Sequence, residues 1–202
     1  SGLVGSEMCI RDRSNEDFFE SKWNDTGWTN AIPLAGFINS DLSEGAGSIS
    51  QDGNYLIYTG CNYPQGKGSC DLYISKKNSD GTWNAGKNLG ANINTDFWES
   101  TPSLSPDNQT LYFSSNQPGG YGGKDIWMSH KLYSGNWSKA VNAGPIINTT
   151  ADETAPFIHA DNKHLYFVSN GHPGYGNSDI FFTTHESDSS WTEPINMGYP
   201  IN

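Results

Sequence analysis

Apolar and polar residues alternate along this chain in short strand-length phrases. "STPSLS" (residues 100–105) alternates and runs into "PDN", a turn signal that tolerates positive φ. "TLYFSS" (110–115) is β-rich, a glycine-rich loop follows, and "DIWMSHK" (125–131) is a third strand phrase. "YSGN" (133–136) marks another turn and "WSKAVNAG" (137–144) a fourth strand. No long window carries apolar residues at i, i+3, i+4 and i+7, so the pattern predicts strands and no substantial helix.

The whole phrase returns. Residues 111–127 read "LYFSSNQPGGYGGKDIW", residues 165–181 "LYFVSNGHPGYGNSDIF", and residues 56–73 "LIYTGCNYPQGKGSCDLY". Trp83, Trp137 and Trp191 are 54 apart at each step, as are Asp71, Asp125 and Asp179, and Asn94, Asn148 and Asn202. Glu44, Glu99 and Glu153 follow with steps of 55 and 54, while Trp28 and Asn39 sit 55 before their next copies. A unit of this length, with four antiparallel strands and a linker, describes a propeller blade. The predicted fold is therefore an all-β propeller of four-stranded antiparallel blades. The partial blade is expected over about residues 16–40, and full blades over about 41–95, 96–149 and 150–202. Because Asp17 matches the third strand of a unit, the partial blade lacks its first two strands. With half a blade and three complete ones, the chain reads as a fragment of a larger ring.

Composition agrees with many strands and turns: 13% of residues are aromatic, with 23 Gly and 10 Pro. Asp plus Glu outnumber Lys plus Arg by 22 to 11, and the net charge of −11 disfavours nucleic acid and anionic lipid as partners. No run of 18 apolar residues exists, so no membrane insertion is expected. The opening "SGLVGSEMCIRDR" shares no repeat marker and resembles translated adaptor residues. Residues 1–15 are accordingly set aside as a non-native or disordered tail.

The units "ESTPSLSPDNQTLYFSSNQPGGYGGKDIW" and "ETAPFIHADNKHLYFVSNGHPGYGNSDIF" resemble the WD-like β-propeller repeat of the TolB type. With "GSCDLYIS", "WNAGKNLGANINT" and "GGYGGKDIW", the chain looks most like the propeller of OmpA-family outer-membrane proteins of Bacteroidota-type bacteria. The resemblance covers residues 16–202. It implies a periplasmic, outer-membrane-associated scaffold whose partner is an envelope or secretion-apparatus protein or peptide. Contact with peptidoglycan belongs in that family to a domain absent from this sequence.

The glycine loops do not read as phosphate cradles. Gly123-Lys124 is followed by Asp125, the glycine a P-loop needs is Pro118, and Lys124 becomes Cys70 or Ser178 in the other copies. Tight turns, with the Asp capping loop N–H groups, account for them. The recurring tryptophans read as core. "NSDGTW" (78–83) is similar to a sialidase Asp-box, but the other copies diverge, and the only arginines are Arg11 and Arg13. His130, His159, His164, His172 and His185 show no metal-ligand spacing, and no nucleophile elbow occurs, so no metal, cofactor or enzymatic activity is expected.

One arrangement is a candidate binding site. Glu44, Glu99 and Glu153 would ring the mouth of the central channel, with Asn39, Asn94 and Asn148 just upstream. They would form an acidic face for a cationic peptide or a cation; the alternative is that they tie adjacent blades together. Tyr121 and Tyr175 are loop aromatics suited to recognition, in a protein-binding scaffold or in a glycan-binding or glycan-cleaving propeller completed by further blades. Cys61 and Cys70 bracket a hairpin loop, where strand neighbours about 5.5 Å apart admit a disulfide, with zinc as the competing use and Cys9 left free.

Overall fold

The computed structural model describes residues 16–186 and 190–202. The tail expected over residues 1–15, with Cys9, lies outside the described residues. The expected all-β propeller architecture is observed. Three four-stranded antiparallel sheets follow one another along the chain. The first blade comprises β5 (Ser43–Ile49), β6 (Tyr55–Cys61), β7 (Cys70–Lys76) and β8 (Lys87–Asn88). The second comprises β9 (Glu99–Leu104), β10 (Thr110–Ser115), β11 (Asp125–His130) and β12 (Val141–Asn142). The third comprises β13 (Glu153–Ile158), β14 (His164–Ser169), β15 (Asp179–Thr184) and β16 (Ile195–Asn196).

Before them, β1 (Phe19–Glu20) pairs with β4 (Ile32–Pro33), and β2 (Trp23–Asn24) pairs with β3 (Gly27–Trp28). The pairing of Phe19 with Pro33 matches that of Tyr73 with Asn88 in the first blade, so these are the outer two strands of a blade.

Strand neighbours point to opposite faces, and each full blade has a front face toward the preceding blade and a rear face on the other side, which in the first and second meets the next blade. That is why "LYF" is buried along its whole length in the second blade, instead of alternating with solvent. Leu111, Phe113 and Trp127 meet Ile57, Leu72 and Ile93 of the first blade. On the other side, Tyr112, Ile126 and Ile147 meet Leu165, Phe167 and Phe181 of the third. Trp83, Trp137 and Trp191 are buried, each in a bridge that closes the outer hairpin. Burying one such ring contributes on the order of 5 kcal/mol before entropy is counted.

Serine hydroxyls join the inner strands across blades. Ser48 accepts the Leu104 N–H at 3.0 Å, and Ser103, one repeat on, accepts the Ile158 N–H at 3.0 Å. Beside them each inner strand carries a bulge in its ladder, with Ala46, Thr101 and Ala155 at φ 42°, 50° and 50°.

Candidate functional site

The linkers between blades and the glycine loops lie on one edge of the propeller, and this edge holds every residue singled out for binding. Asn94 sits in the linker after the first blade. Its side-chain carbonyl accepts the Leu72 N–H at 2.8 Å, and its amide donates to the Leu72 carbonyl at 2.9 Å. Asn148 does the same to Ile126, Asn202 to Ile180 and Asn39 to Phe18. One side chain thus completes both backbone groups of a third-strand residue and pins the linker to the blade it leaves.

Five residues further on, the glutamate pins the linker to the blade it enters. Glu99 accepts the Thr95 N–H at 2.9 Å, the Thr95 hydroxyl at 2.5 Å and the Ser115 hydroxyl at 2.9 Å. Glu153 accepts from Thr149 N–H, Thr149 Oγ1 and Ser169 Oγ at 2.7–2.8 Å. Glu44 accepts from Ser40 through N–H and hydroxyl; in place of the serine, where the first blade has Gly60, the Tyr63 hydroxyl donates to it.

The three carboxylates are therefore 0–1% exposed. This corrects the expected acidic face around the channel mouth: Glu44, Glu99 and Glu153 are buried clamps, as are Asn94 and Asn148. A buried carboxylate is tolerated when its acceptor sites are filled, and these are filled three times over. Burial pushes the Glu99 carboxyl above its ordinary value, against the opposing pull of its Thr95 and Ser115 hydrogen bonds, with the charge of Asp71 adding to the rise. Burial also raises the Tyr63 phenol, and its bond to Glu44 holds the proton in place.

The glycine loops follow the turn reading. Asp125 accepts the Tyr121 and Gly122 N–H groups at 2.7 and 3.2 Å and the Asn142 amide at 3.2 Å. Asp71 and Asp179 hold their loops likewise. The glycines are needed for close approach: a Cβ on Gly122 would lie 2.0 Å from the Ala151 carbonyl oxygen, and one on Gly68 1.5 Å from that of Phe97. The loop lies on the next linker, and Lys124 is turned over the Trp98 ring at 4.8 Å. Glycine and cation alike serve packing.

Exposed aromatic surface remains on this edge. The rings of Tyr121 and Tyr175 stand in solvent, their backbone held by Asp125 and Asp179. Beside the first blade a recess of about 380 Å³ is walled by Phe37, Tyr58, Tyr63 and Tyr73. Burial drives the Tyr58 phenol up to about 12, so the recess is neutral at its phenols under physiological conditions. Cys61 and Cys70 face each other across β6 and β7 and are joined as a disulfide. Their Cα atoms are 4.0 Å apart, closer than the expected spacing because the neighbouring Asn62–Ser69 position carries the ladder hydrogen bond. His159 and His164, for which the sequence shows no metal-ligand spacing, are gathered with Asp161 by the hairpin turn at 159–164 on the opposite edge.

With this geometry in hand, the chain belongs to the class of β-propellers with four-stranded blades, and comparison with solved structures agrees. TolB from Acinetobacter baumannii superposes with a TM-score of 0.52 at 16% identity, over 77% of this chain and 33% of TolB. A thermostable family-43 glycoside hydrolase superposes with a TM-score of 0.52 at 16% identity, over 91% of this chain and 71% of the hydrolase. The likeness is one of fold, TolB-like in its propeller, and the chain spans about a third of the TolB structure. No protein-family model matches the sequence, and no curated protein matches it either.

Proposed function

We propose that the chain is a non-enzymatic β-propeller scaffold for protein interaction in the bacterial cell envelope, part of an OmpA-like outer-membrane-associated protein. One observation carries the reading. The recurring polar groups that could do chemistry (the Glu, Asp and Asn of each unit) are consumed in holding linkers and glycine loops. What the same edge offers to a partner is aromatic: Tyr121, Tyr175 and Phe37 at the recess. Exposed rings on a rigid edge suit recognition of a protein or peptide segment, because aromatic anchors supply large contact area with few rotors to fix. The disulfide in the first blade fits an oxidising compartment such as the periplasm.

Photo-crosslinking amino acids at positions 121 and 175 test this, with position 133 on the opposite edge as control. Protein adducts from the envelope at the first two positions and not at 133 are the expected result. Turnover of an aryl glycoside or sialoside that disappears on substitution within residues 16–202 would replace the scaffold with a glycan-cleaving propeller.

A further inference from the structure

The three blades share a turn between their first and second strands, and only the third arms it with imidazoles. The first blade reads Ser50-Gln-Asp52-Gly-Asn-Tyr55, the second Ser105-Pro-Asp107-Asn-Gln-Thr110, and the third His159-Ala-Asp161-Asn-Lys-His164. In the first two the serine hydroxyl donates to the aspartate at 2.5 Å and accepts the N–H five residues on, which closes the turn together with backbone bonds that all three blades share. The turn therefore folds without histidine. Two imidazoles at its two closing positions are a departure from a self-sufficient pattern.

The geometry points to a binding site for a divalent transition-metal ion of the zinc type, formed by His159, Asp161 and His164. His159 Nδ1 lies 3.0 Å and His164 Nδ1 2.6 Å from the same oxygen, Asp161 Oδ2, and the three ligand atoms lie within 4.8 Å of one another. Ligand atoms around a tetrahedral zinc ion with bonds of about 2.0–2.1 Å sit about 3.3 Å apart, so binding requires the imidazoles to rotate, His159 Nδ1 giving up the Asp161 N–H that it accepts at 3.3 Å. The carboxylate is held as Asp52 and Asp107 are in the other two turns, which accept the Asn54 and Gln109 N–H groups at 3.0 and 2.9 Å. Its other oxygen, Oδ1, accepts the Lys163 and His164 N–H groups at 2.9 and 3.1 Å, leaving Oδ2 directed at the imidazoles. Backbone support of this kind is what fixes a metal-ligating carboxylate. The rings are steadied as well, His159 against Tyr166 and His164 against Phe182, with centroids 6.4 and 6.1 Å apart. Two nitrogens and one oxygen favour zinc, nickel or copper over magnesium or calcium, which prefer oxygen ligands. His159 and Asp161 are exposed and His164 is half-buried, so the ion has access, and three protein ligands leave a coordination position for water or a partner's side chain.

Calorimetric titration with zinc chloride tests the site on the full chain and on the double variant His159→Ser, His164→Thr. That variant gives the third blade the closing residues of the second, a turn this fold already accommodates. Expected is one zinc per chain, binding at least tenfold weaker in the variant, with NMR shifts at His159 and His164 and none at His130, His172 or His185. Absence of zinc binding to the parent chain, equal affinity in the variant, or shifts confined to the other histidines would each overturn the assignment.

Discussion

The rear faces of the second and third blades carry the same kinds of residue at the same repeat positions and have different fates. Ile126 and Ile147 are both 0% exposed, packed against Leu165 and Phe167 of the next blade. Their counterparts Ile180 and Ile201 are 37% and 55% exposed, with no further blade against them among the described residues. At the other end Trp83 is buried while its counterpart Trp28 stands half exposed. A residue's place in the repeat fixes which face it occupies; only a neighbouring blade makes that face a core. The stability of a blade is accordingly a sum of its own ladder and the interfaces it forms, as in other repeat proteins.

Paired substitutions across the two faces should therefore give unequal effects. Asn148→Ala strands the Ile126 N–H and carbonyl inside a closed interface and is expected to destabilise by about 3 kcal/mol. Asn202→Ala, on the open face, should cost less than about 1 kcal/mol, since water can replace the lost bonds. Ile147→Ala against Ile201→Ala repeats the comparison for apolar burial, at about 3 kcal/mol for the first and little for the second. Urea titration of the four variants checks both pairs, and equal losses within a pair would break the comparison.

The disulfide sets the first blade apart from the other two. Closing a loop of about ten residues should contribute up to about 3 kcal/mol, so Cys61→Ser with Cys70→Ser, or reduction, should lower the melting temperature by several degrees. An unchanged melt would show that the bridge stabilises nothing.

A smaller effect separates Glu99 from ordinary surface carboxylates. Burial raises its folded-state pKa above the ordinary carboxylate value it keeps in the unfolded chain. The folded chain then binds this proton more tightly than the unfolded one, so the contribution is fully present below that value and is lost as pH rises through the folded one. The difference between wild type and Glu99→Gln in stability should fall over this window on raising pH. A difference that grows with pH would reverse the sign and contradict the burial account.

The blade itself was legible in the sequence, because markers recurring every 54 residues fix strand order, the role of the tryptophans and the aspartate caps of the glycine loops. The direction of the glutamates was not. A carboxylate at the mouth of a channel reads as solvent-facing until one sees that Ser40, Thr95 or Thr149 always stands four residues before it and folds back to fill it. The His159–Asp161–His164 cluster escaped for a related reason. Its members are two and three residues apart, with no helical or strand periodicity, and only the turn, with Asn162 at φ 59°, brings them together.

The central claim is that the recurring Asn, Asp and Glu are architecture, and that each is as protected as the interface it lies in. Amide hydrogen exchange at Leu72, Ile126 and Ile180 tests it most directly, since Asn94, Asn148 and Asn202 hold these N–H groups at the same distance of 2.8 Å. Slow exchange at Leu72 and Ile126, faster exchange at Ile180, and loss of protection at Ile126 alone in Asn148→Ala are expected. Rapid exchange at all three, or protection at Ile126 that survives Asn148→Ala, would contradict it.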